Sequence, residues 1–575
     1  FLIDDFFQEL EPLGRLDIML QLSQRAVDYY KSLPEALRSP DTERNQALAL
    51  LRHGASLQSQ NRIKDGTPFL MDGLAQLERL YDAGDHSEAT SMGLAYALRT
   101  RARMAVADSS PTDGLPYAQR AVELLRERAG APDASRQLRL VYGQLLQFLG
   151  YTQTRAGAHK EAVVSARAAQ AVALSLLEGD PKDERAQYLF VSVTPWLGES
   201  LTELGRVEEA KEAGRQGIAR ADALLRVRPG HRSALAARAV TNSYLAQIEG
   251  EQMRLAASMQ LTRAAAADWI VITGNDPSNG SAWNNLSVAY FGLYLAQSEA
   301  GQMRESARSL AQARDAILKT PETVFTLANV RFWFLIEALT LADMGDMAGT
   351  QQALQNMRQK GQALLTRHNG PLRARVVACS ESTAELSIRL LAGDTQASPQ
   401  ALQAALASMR TYELKNDNDW NRRIDCETFA GLALSEALLR QDRAAEAEKT
   451  AAAALAVFKP EYLSSFQRQR DAGDLRILLA LGQARQGKLE AGLSALAPAL
   501  KLHTELVAKS EESAYERFEL ARVLYVQALL EPAQRNALLT RSLALFNALP
   551  AEMRALRSVQ LWQGWAQTAQ RKGGA

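Results

Sequence analysis

A pattern of fourteen residues recurs along the chain, with a turn-forming residue at the same place in each copy. The ninth residue is Gly or Asp, and the fourteenth is usually small, in the copies that begin at Leu149, Leu197, Leu293, Glu337, Leu434 and Leu479. The copies are 44 to 50 residues apart, or about twice that distance where a weaker copy such as the one at Glu385 intervenes. Self-similarity at such a period is the signature of a repeat protein, so the chain must stack one structural unit many times.

Each copy predicts a pair of antiparallel helices. Apolar residues recur at three- and four-residue steps, as on one face of a helix. A Gly at the ninth position, such as Gly157 or Gly205, can adopt the left-handed conformation that ends a helix, and the next helix begins two or three residues later. A small fourteenth residue, such as Ala162 or Ala210, lets the second helix approach the first closely. Since each hairpin leaves one apolar face uncovered, the hairpins must stack.

The composition favours a helical chain with no strong electrostatic partner. Hydrophobic residues make up 47% of the 575 residues, aromatic residues only 6%, and there are 18 Pro, so helix formers dominate. The 66 basic and 65 acidic residues give a net charge of +1, which removes the field that would attract nucleic acid or anionic lipid. The best candidate for a membrane span, Phe332–Leu341, is too short and contains Glu337. We predict no nucleic-acid partner and no membrane span in these residues.

The sequence offers little that could support catalysis. Gly482 and Gly487-Lys488 have the spacing of a phosphate-binding loop, but Leu489 follows the lysine where Ser or Thr would hold magnesium, and the preceding residues have a helical pattern. The six histidines show no metal-binding spacing, and no HExxH, GxSxG or GxGxxG motif occurs. We predict no catalytic residue, no metal and no cofactor, so any enzymatic activity would belong to a domain outside this sequence.

The two cysteines, Cys379 and Cys426, are 47 residues apart. Packed helices lie roughly 8–10 Å apart, and at that separation corresponding residues of neighbouring repeats cannot be bridged without movement of the backbone. Two cysteines also exclude a four-cysteine zinc site. We expect two unbridged thiols in the core.

Two of the copies resemble the tetratricopeptide repeat (TPR) at the positions Leu149, Gly150, Gly157 and Ala162, and again at Leu197, Gly198, Gly205 and Ala210. The aromatic residue that is usual in the family is replaced by Gln153 and Leu201, and the period is longer than the family's 34 residues, which implies longer helices. The resemblance implies an all-α, right-handed superhelical solenoid of antiparallel helix hairpins. HEAT-like helix pairs have a suitable length and are the alternative architecture.

We predict N-terminal entry or capping helices over residues 1–40 and a TPR-like array over residues 41–575. The array should contain about ten or eleven hairpins, the last of them incomplete, because Leu561–Gly574 has the pattern of a first helix without its partner. The segment Leu10–Pro34 resembles the entry to the C-terminal TPR region of large multidomain bacterial signalling and defence proteins. We therefore expect this chain to be part of a longer protein.

The resemblance implies a non-catalytic scaffold that binds proteins, as the sensor, regulatory or assembly region of a larger bacterial signalling protein. In TPR arrays the first helices line a concave groove that binds a protein or peptide, in part through polar residues that hydrogen-bond an extended backbone. The outward positions of that groove, carried over from the family pattern, include Gln144, Gln147, Tyr151, Arg155, Ser192, Glu199 and Gln247. Two clusters of aromatic and polar residues add the candidates Trp283, Asn284, Asn285, Trp420 and Arg422.

Further along the chain the equivalent outward positions are apolar, at Val288, Phe291, Leu295, Phe332, Leu335 and Leu339. An exposed apolar patch would indicate an interface with a partner, whereas an error in the helix phase would place these residues in the core. We favour the core.

Two other classes of function stay open on the sequence alone. One is an enzyme whose active site lies between repeats, and the other is a homo-oligomeric structural protein. Self-association is accordingly a second kind of partnership. The sequence does not fix the compartment: the cytoplasm is favoured, with the periplasm or a membrane-tethered form as alternatives if a transmembrane helix precedes these residues.

Overall fold

The computed structural model describes residues 16–59, 62–107, 111–367, 370–414, 417–458, 466–510 and 512–573. Within these ranges the chain is helical and contains no β-strand. The first fifteen residues, which include part of the predicted entry segment, lie outside the described residues.

The first twelve described helices are similar in length: α1 Leu16–Ser32, α2 Pro40–Ser59, α3 Ile63–Asp82, α4 Glu88–Ala107, α5 Pro111–Gly130, α6 Arg136–Arg155, α7 His159–Gly179, α8 Glu184–Glu203, α9 Val207–Val227, α10 Arg232–Glu251, α11 Leu255–Asn275 and α12 Gly280–Glu299. The remaining helices vary more in length: α13 Met303–Ile317, α14 Val324–Met344, α15 Met347–Arg367, α16 Pro371–Leu391, α17 Gln400–Arg410, α18 Asp417–Arg440, α19 Ala444–Leu455, α20 Phe466–Arg485, α21 Leu489–Lys509, α22 Ala514–Leu530, α23 Arg535–Asn547, α24 Ala551–Arg554 and α25 Arg557–Gly573. Short 3₁₀ helices span Glu35–Leu37 and Pro532–Gln534.

Consecutive helices pack as pairs, and the pairs stack. The pairs α6 with α7, α8 with α9, α14 with α15, and α20 with α21 each form a hairpin, while the first helix of one hairpin also packs on the first helix of the next, as α6 does on α8 and α14 on α16. This stacking of helix hairpins confirms the predicted all-α, TPR-like repeat fold.

The ninth residue of each copy is the left-handed residue of its turn. Positive φ angles between 59° and 89° occur at Gly157, Gly205, Met253, Gly301, Gly345, Gly393, Asp442 and Gly487. Met253 holds this position in a copy beginning at Leu245, where the sequence offers neither Gly nor Asp. The fourteenth residues are also as predicted, since Ala162, Ala210 and Ser306 are buried against the first helix of their hairpins. The turn and the close approach therefore recur together along the chain.

The chain forms two compact units. Unit 1 consists of residues 1–248 and 260–289, and unit 2 of residues 249–259 and 290–575. The core of unit 1 is built from leucines of successive helices, among them the fully buried Leu51, Leu77 and Leu98. In unit 2 the largest core cluster gathers around Leu481, Phe546 and Trp562.

Polar contacts within unit 2 join its first helices to its last. Ser558 donates hydrogen bonds from its backbone N and its Oγ to the two carboxylate oxygens of Asp343, at 2.8 and 2.7 Å. Glu299 pairs with Arg470 at 2.7 Å and accepts a hydrogen bond from Ser513. These pairs are separated by 171 to 215 residues in the sequence. Unit 2 is therefore held by contacts between distant repeats as well as by stacking of neighbours.

The expectation that the two cysteines stay unbridged is wrong. Cys379 in α16 and Cys426 in α18 form a disulfide, with a Cα–Cα distance of 6.1 Å. The error lies in the use of the distance between helix axes, roughly 8–10 Å, as the distance between residues. Because each Cα lies about 2.3 Å from its helix axis, two Cα atoms on facing sides are several ångströms closer than the axes, within reach of a bridge.

Gly205→Val should destabilise unit 1. A Cβ at this position meets no atom within 4 Å, so the cost comes from the left-handed backbone, which disfavours a β-branched residue by roughly 1–2 kcal/mol. Gly130→Val is the matched control, because a Cβ there also meets no atom within 4 Å and the backbone φ is not positive. Urea unfolding should give a lower midpoint for Gly205→Val than for Gly130→Val, and equal midpoints would refute the turn assignment.

Loss of the disulfide should destabilise unit 2. The bridge spans 47 residues, and a native disulfide typically contributes roughly 2–4 kcal/mol. The double variant Cys379→Ala with Cys426→Ala should reproduce, without reductant, the loss of stability that a reductant causes in the parent chain. Mass spectrometry of a non-reduced digest should detect the linked peptides. Two thiols that react with a maleimide in the folded, unreduced protein would contradict the bridge.

Candidate binding cleft

A cleft with a volume of about 500 Å³ lies in unit 1, between the first helices of neighbouring repeats. Helices α8, α10 and α12 form most of its wall, and α2, α6 and α11 complete it. The lining residues are Gln58, Gln147, Tyr188, Ser192, Pro195, Trp196, Arg232, Ser233, Ala236, Ala237, Val240, Trp269, Ile272, Asn279, Ser281, Ala282 and Asn285. Its volume falls in the range of clefts that bind small ligands or a few side chains of a partner.

Three of the predicted binding residues line this cleft. Gln147 comes from α6, Ser192 from α8 and Asn285 from α12, and each is half-buried. The Ser192 hydroxyl donates to the carbonyl oxygen of Leu189 at 2.9 Å, which leaves its oxygen able to accept a further hydrogen bond. The stacking of hairpins therefore brings polar side chains from separate repeats onto one surface.

Three more predicted residues form a cluster that borders the cleft. The rings of Tyr151 and Trp196 lie 4.6 Å apart between centroids, and the Arg155 guanidinium lies 5.3 Å from the Trp196 ring. Arg155 also forms an ion pair with Glu199. Burial raises the pKa of Tyr151 above its ordinary value. Trp196 belongs to both the cluster and the cleft, so it connects the two.

The other predicted residues do not line the cleft. Gln144 is half-buried on α6, and Gln247 is exposed on α10. The indole Nε1 of Trp283 donates to the carbonyl oxygen of Pro277 at 3.0 Å, and the neighbouring Asn284 is half-buried. These four residues stay predictions without a common site.

Trp420 and Arg422 belong to unit 2. Trp420 is half-buried, with the Arg423 guanidinium 5.6 Å from its ring, whereas Arg422 is exposed. Neither residue lines the cleft of unit 1.

The sequence pattern missed Tyr188, Trp196, Arg232 and Trp269, which also line the cleft. The fourteen-residue copies begin late in each first helix, so they do not include Tyr188 and Arg232, which lie near the N-terminal ends of α8 and α10. Trp196 directly precedes the copy at Leu197, at a position that the family pattern does not count as outward-facing. The sequence signal that could have identified Trp196 was an aromatic residue directly after Pro195, in the middle of a helix.

A buried histidine caps α10, one of the helices that form the wall of the cleft. His231 is 7% exposed and precedes α10, and its Nδ1 accepts a hydrogen bond from the backbone N of Ala234 at 3.2 Å. Its ring lies 5.6 Å from the ring of Tyr188. Burial lowers the pKa of His231, so the imidazole is neutral at pH 7 and can act as a helix cap.

The apolar outward positions divide between surface and core. Val288, Leu295 and Phe332 are 52%, 52% and 38% exposed, so the expectation of burial is wrong for them. Phe291, Leu335 and Leu339 are partly buried against a core cluster of unit 2, as expected. The helix phase was thus correct for the exposed residues, and burial of the others comes from packing between neighbouring first helices.

A network of buried charges lies in unit 2, at the contact between its distant repeats. The His503 Nδ1 lies 2.7 Å from Glu516 Oε2, and Arg470 contacts both Glu516 and Glu299. Burial raises the pKa of the nearby Glu519 carboxyl, which contacts Arg522. Paired, closely packed charges of this kind are typical of a structural ion-pair network.

Within the described residues, no group of three or more His, Cys, Asp or Glu side chains is arranged to hold a metal ion. Nor does any helix within the described ranges combine the length and apolar character that crossing a membrane requires.

No family model and no curated protein matches this sequence. Among solved structures, the chain is similar to the apo form of RapI, with 10% identity, a TM-score of 0.41, and coverage of 71% of this chain and 98% of RapI. It is also similar to yeast Tom70, with 12% identity, a TM-score of 0.32, and coverage of 92% and 96%. Human IFIT1, solved as a dimer with m7Gppp-AAAA, gives 14% identity, a TM-score of 0.30, and coverage of 97% and 94%.

These three proteins are TPR-type helical repeat proteins. The likeness is distant, since every TM-score is below 0.5. The repeat fold of this chain therefore rests on its own periodic turns and stacked helix pairs.

Proposed function

We propose that this chain is a non-catalytic, TPR-like scaffold that binds a protein or peptide partner in the cleft of unit 1. One observation carries the proposal: Gln147, Ser192 and Asn285, from three different first helices, meet around a cleft of about 500 Å³. Three aromatic residues, Tyr188, Trp196 and Trp269, line the same cleft. This mixture of polar and aromatic residues is typical of surfaces that bind a peptide.

The chemistry of the cleft suits an extended segment of a partner. The amides of Gln147 and Asn285 can donate to and accept from a peptide backbone, and the Ser192 hydroxyl oxygen can accept a hydrogen bond from it. The faces of Trp196 and Tyr188 offer apolar area for a side chain beside that backbone. Because these residues lie on packed helices, their positions are fixed before the partner binds, which reduces the entropy lost on binding.

The proposal includes a role for the partner-bound chain as the sensor, regulatory or assembly region of a larger bacterial signalling protein. The support for this role is the resemblance of Leu10–Pro34 to the entry of repeat regions in such proteins, of which only residues 16–34 are described. Enzymatic activity and a purely structural oligomer have no comparable supporting observation.

The disulfide indicates the kind of cellular compartment in which the chain works. Bridges between cysteines persist in oxidising compartments and are rare in the cytosol, and Cys379 and Cys426 are both buried in their bridged form. We therefore propose that the chain works in an oxidising compartment such as the periplasm, in place of the cytoplasm that the sequence favoured.

Variants of the cleft should lose peptide binding. Peptides selected on the full chain from a random display library should bind at least about 10-fold more weakly to Trp196→Ala, because an aromatic hot-spot residue at an interface contributes about 2 kcal/mol or more and each 1.4 kcal/mol changes the dissociation constant about tenfold. Ser192→Trp should have the same effect by filling the cleft, without removing any packed side chain. Fluorescence anisotropy with a labelled peptide gives the dissociation constants.

Phe429→Ala is the matched control, since Phe429 is an aromatic residue of unit 2 that is 52% exposed. Its dissociation constant should equal that of the parent chain. Selected peptides that bind Ser192→Trp and Trp196→Ala as tightly as the parent would place the binding surface elsewhere, and failure to select any peptide would refute the proposal.

A further inference from the structure

Two hydrogen-bond donors in the lining of the unit 1 cleft are buried without an acceptor. They are the Nε2 of Gln58, on α2, and the Nε of Arg232, the first residue of α10, and neither has a partner among the described residues. No side-chain acceptor of the described lining residues is left buried and unpaired in this way. Because a buried donor without an acceptor is unfavourable, a ligand of this cleft should supply acceptors.

The remaining polar groups of the lining do not supply those acceptors. The lining residues include no Asp or Glu. The side-chain oxygen of Asn279 already accepts a hydrogen bond from the backbone N of Ala282 at 3.0 Å. Since Gln58 and Arg232 come from different helices and Gln58 is uncharged, acceptors that recur along the ligand suit both. Carbonyl oxygens of a peptide backbone recur at every residue.

Aromatic side chains of the cleft have the spacing of a short extended segment. Tyr188 and Trp196 are eight residues apart on α8 and both are half-buried, so they are separated by about 12 Å along the helix axis. Four residues of a polyproline II helix, which rises about 3.1 Å per residue, also span about 12 Å. Trp269, from α11, is 5% exposed and lines the same cleft.

We infer that the partner segment is rich in proline and binds in the polyproline II conformation. Its carbonyl oxygens accept from Gln58 and Arg232, and its pyrrolidine rings pack on Trp196 and Tyr188. This inference rests on the proposed function and adds the chemistry of the ligand. Proline has no backbone N–H, so such a segment brings acceptors with few donors, and its fixed φ reduces the entropy lost on binding.

Other peptide conformations satisfy the cleft less well. An α-helix pairs its carbonyls internally except in its last turn, so it would leave at least one of the two buried donors unpaired. A strand without proline would bring one N–H for each carbonyl to a lining in which only donors are buried and unpaired. Proline-rich segments are also known to bind grooves lined by aromatic residues in unrelated domains.

The test uses the full chain and a random peptide display library. Selected peptides should be enriched in proline relative to the starting library. The best peptide is synthesised in its native form, with every Pro replaced by Ala, and with a methyl group on the backbone N of a residue that is not Pro. Replacement of Pro should weaken binding by about 10-fold or more, because fixed backbone and apolar rings are both lost. N-methylation should leave affinity unchanged, because the cleft accepts no hydrogen bond from that group.

A variant of Gln58 tests the assigned donor. Gln58→Leu should bind the native peptide about 3- to 10-fold more weakly, as expected for loss of one neutral hydrogen bond. Gln119→Leu is the matched control, since Gln119 is exposed on α5 in the same unit and does not line the cleft. Thermal unfolding of Gln58→Leu should not begin earlier than in the parent, because the parent leaves that donor unpaired.

The outcomes separate this inference from the proposed function. Peptides without proline that need Trp196 and lose binding on N-methylation would overturn the proline-rich ligand and leave the scaffold proposal standing. Full affinity of a proline-rich peptide for Gln58→Leu would overturn the assigned hydrogen bond. Cleft-dependent binding of an oligonucleotide, with no binding of proline-rich peptides, would overturn the inference as well. If no peptide depends on the cleft, both proposals fall.

Discussion

The close approach of two helices in each hairpin is the constraint on which the rest of the structure depends. It needs a chain reversal within two or three residues, which a left-handed residue such as Gly205 provides, and a small residue such as Ala210 where the backbones approach. When both recur at nearly the same spacing, every hairpin presents the same faces to its neighbours. The stack then follows from burial of those faces, which no single hairpin could achieve alone.

This regularity also explains how separate repeats can form one binding surface. First helices pack on first helices, so residues that are some 48 positions apart in the sequence become neighbours along one wall, as Gln147 and Ser192 nearly are. The cleft is lined by small, polar and apolar residues of this wall, together with the aromatic side chains of Trp196 and Tyr188. Function in such a fold depends on the variable residues of the wall, while the turns and small residues maintain its geometry.

The sequence predicted the features that depend on local conformation. Positive φ at Asp442 and burial of Ala162 follow from the chemistry of a tight reversal, so a pattern of residue types was enough to locate them. Features that depend on distance between repeats were harder. The disulfide between Cys379 and Cys426 was missed because its formation depends on which sides of the two helices face each other. A spacing of 47 residues in the sequence does not determine that orientation.

The candidate site was predicted in part for the same reason. Gln147, Ser192 and Asn285 were found because they follow the repeat, whereas Arg232 lies at the start of its helix, where the repeat pattern carries no information. The contacts of unit 2 between Asp343 and Ser558 join residues 215 apart, and no periodic signal links them. Such contacts depend on the accumulated rotation of many hairpins, to which each turn adds a small amount.

Hydrogen–deuterium exchange of the full chain, with and without a selected peptide, tests most directly whether this stack of hairpins presents its partner site in the cleft of unit 1. We predict slower exchange on binding in residues 188–196, 232–240 and 279–285 together, with no change in α18. Protection confined to unit 2, or to a single helix of unit 1, would contradict the account.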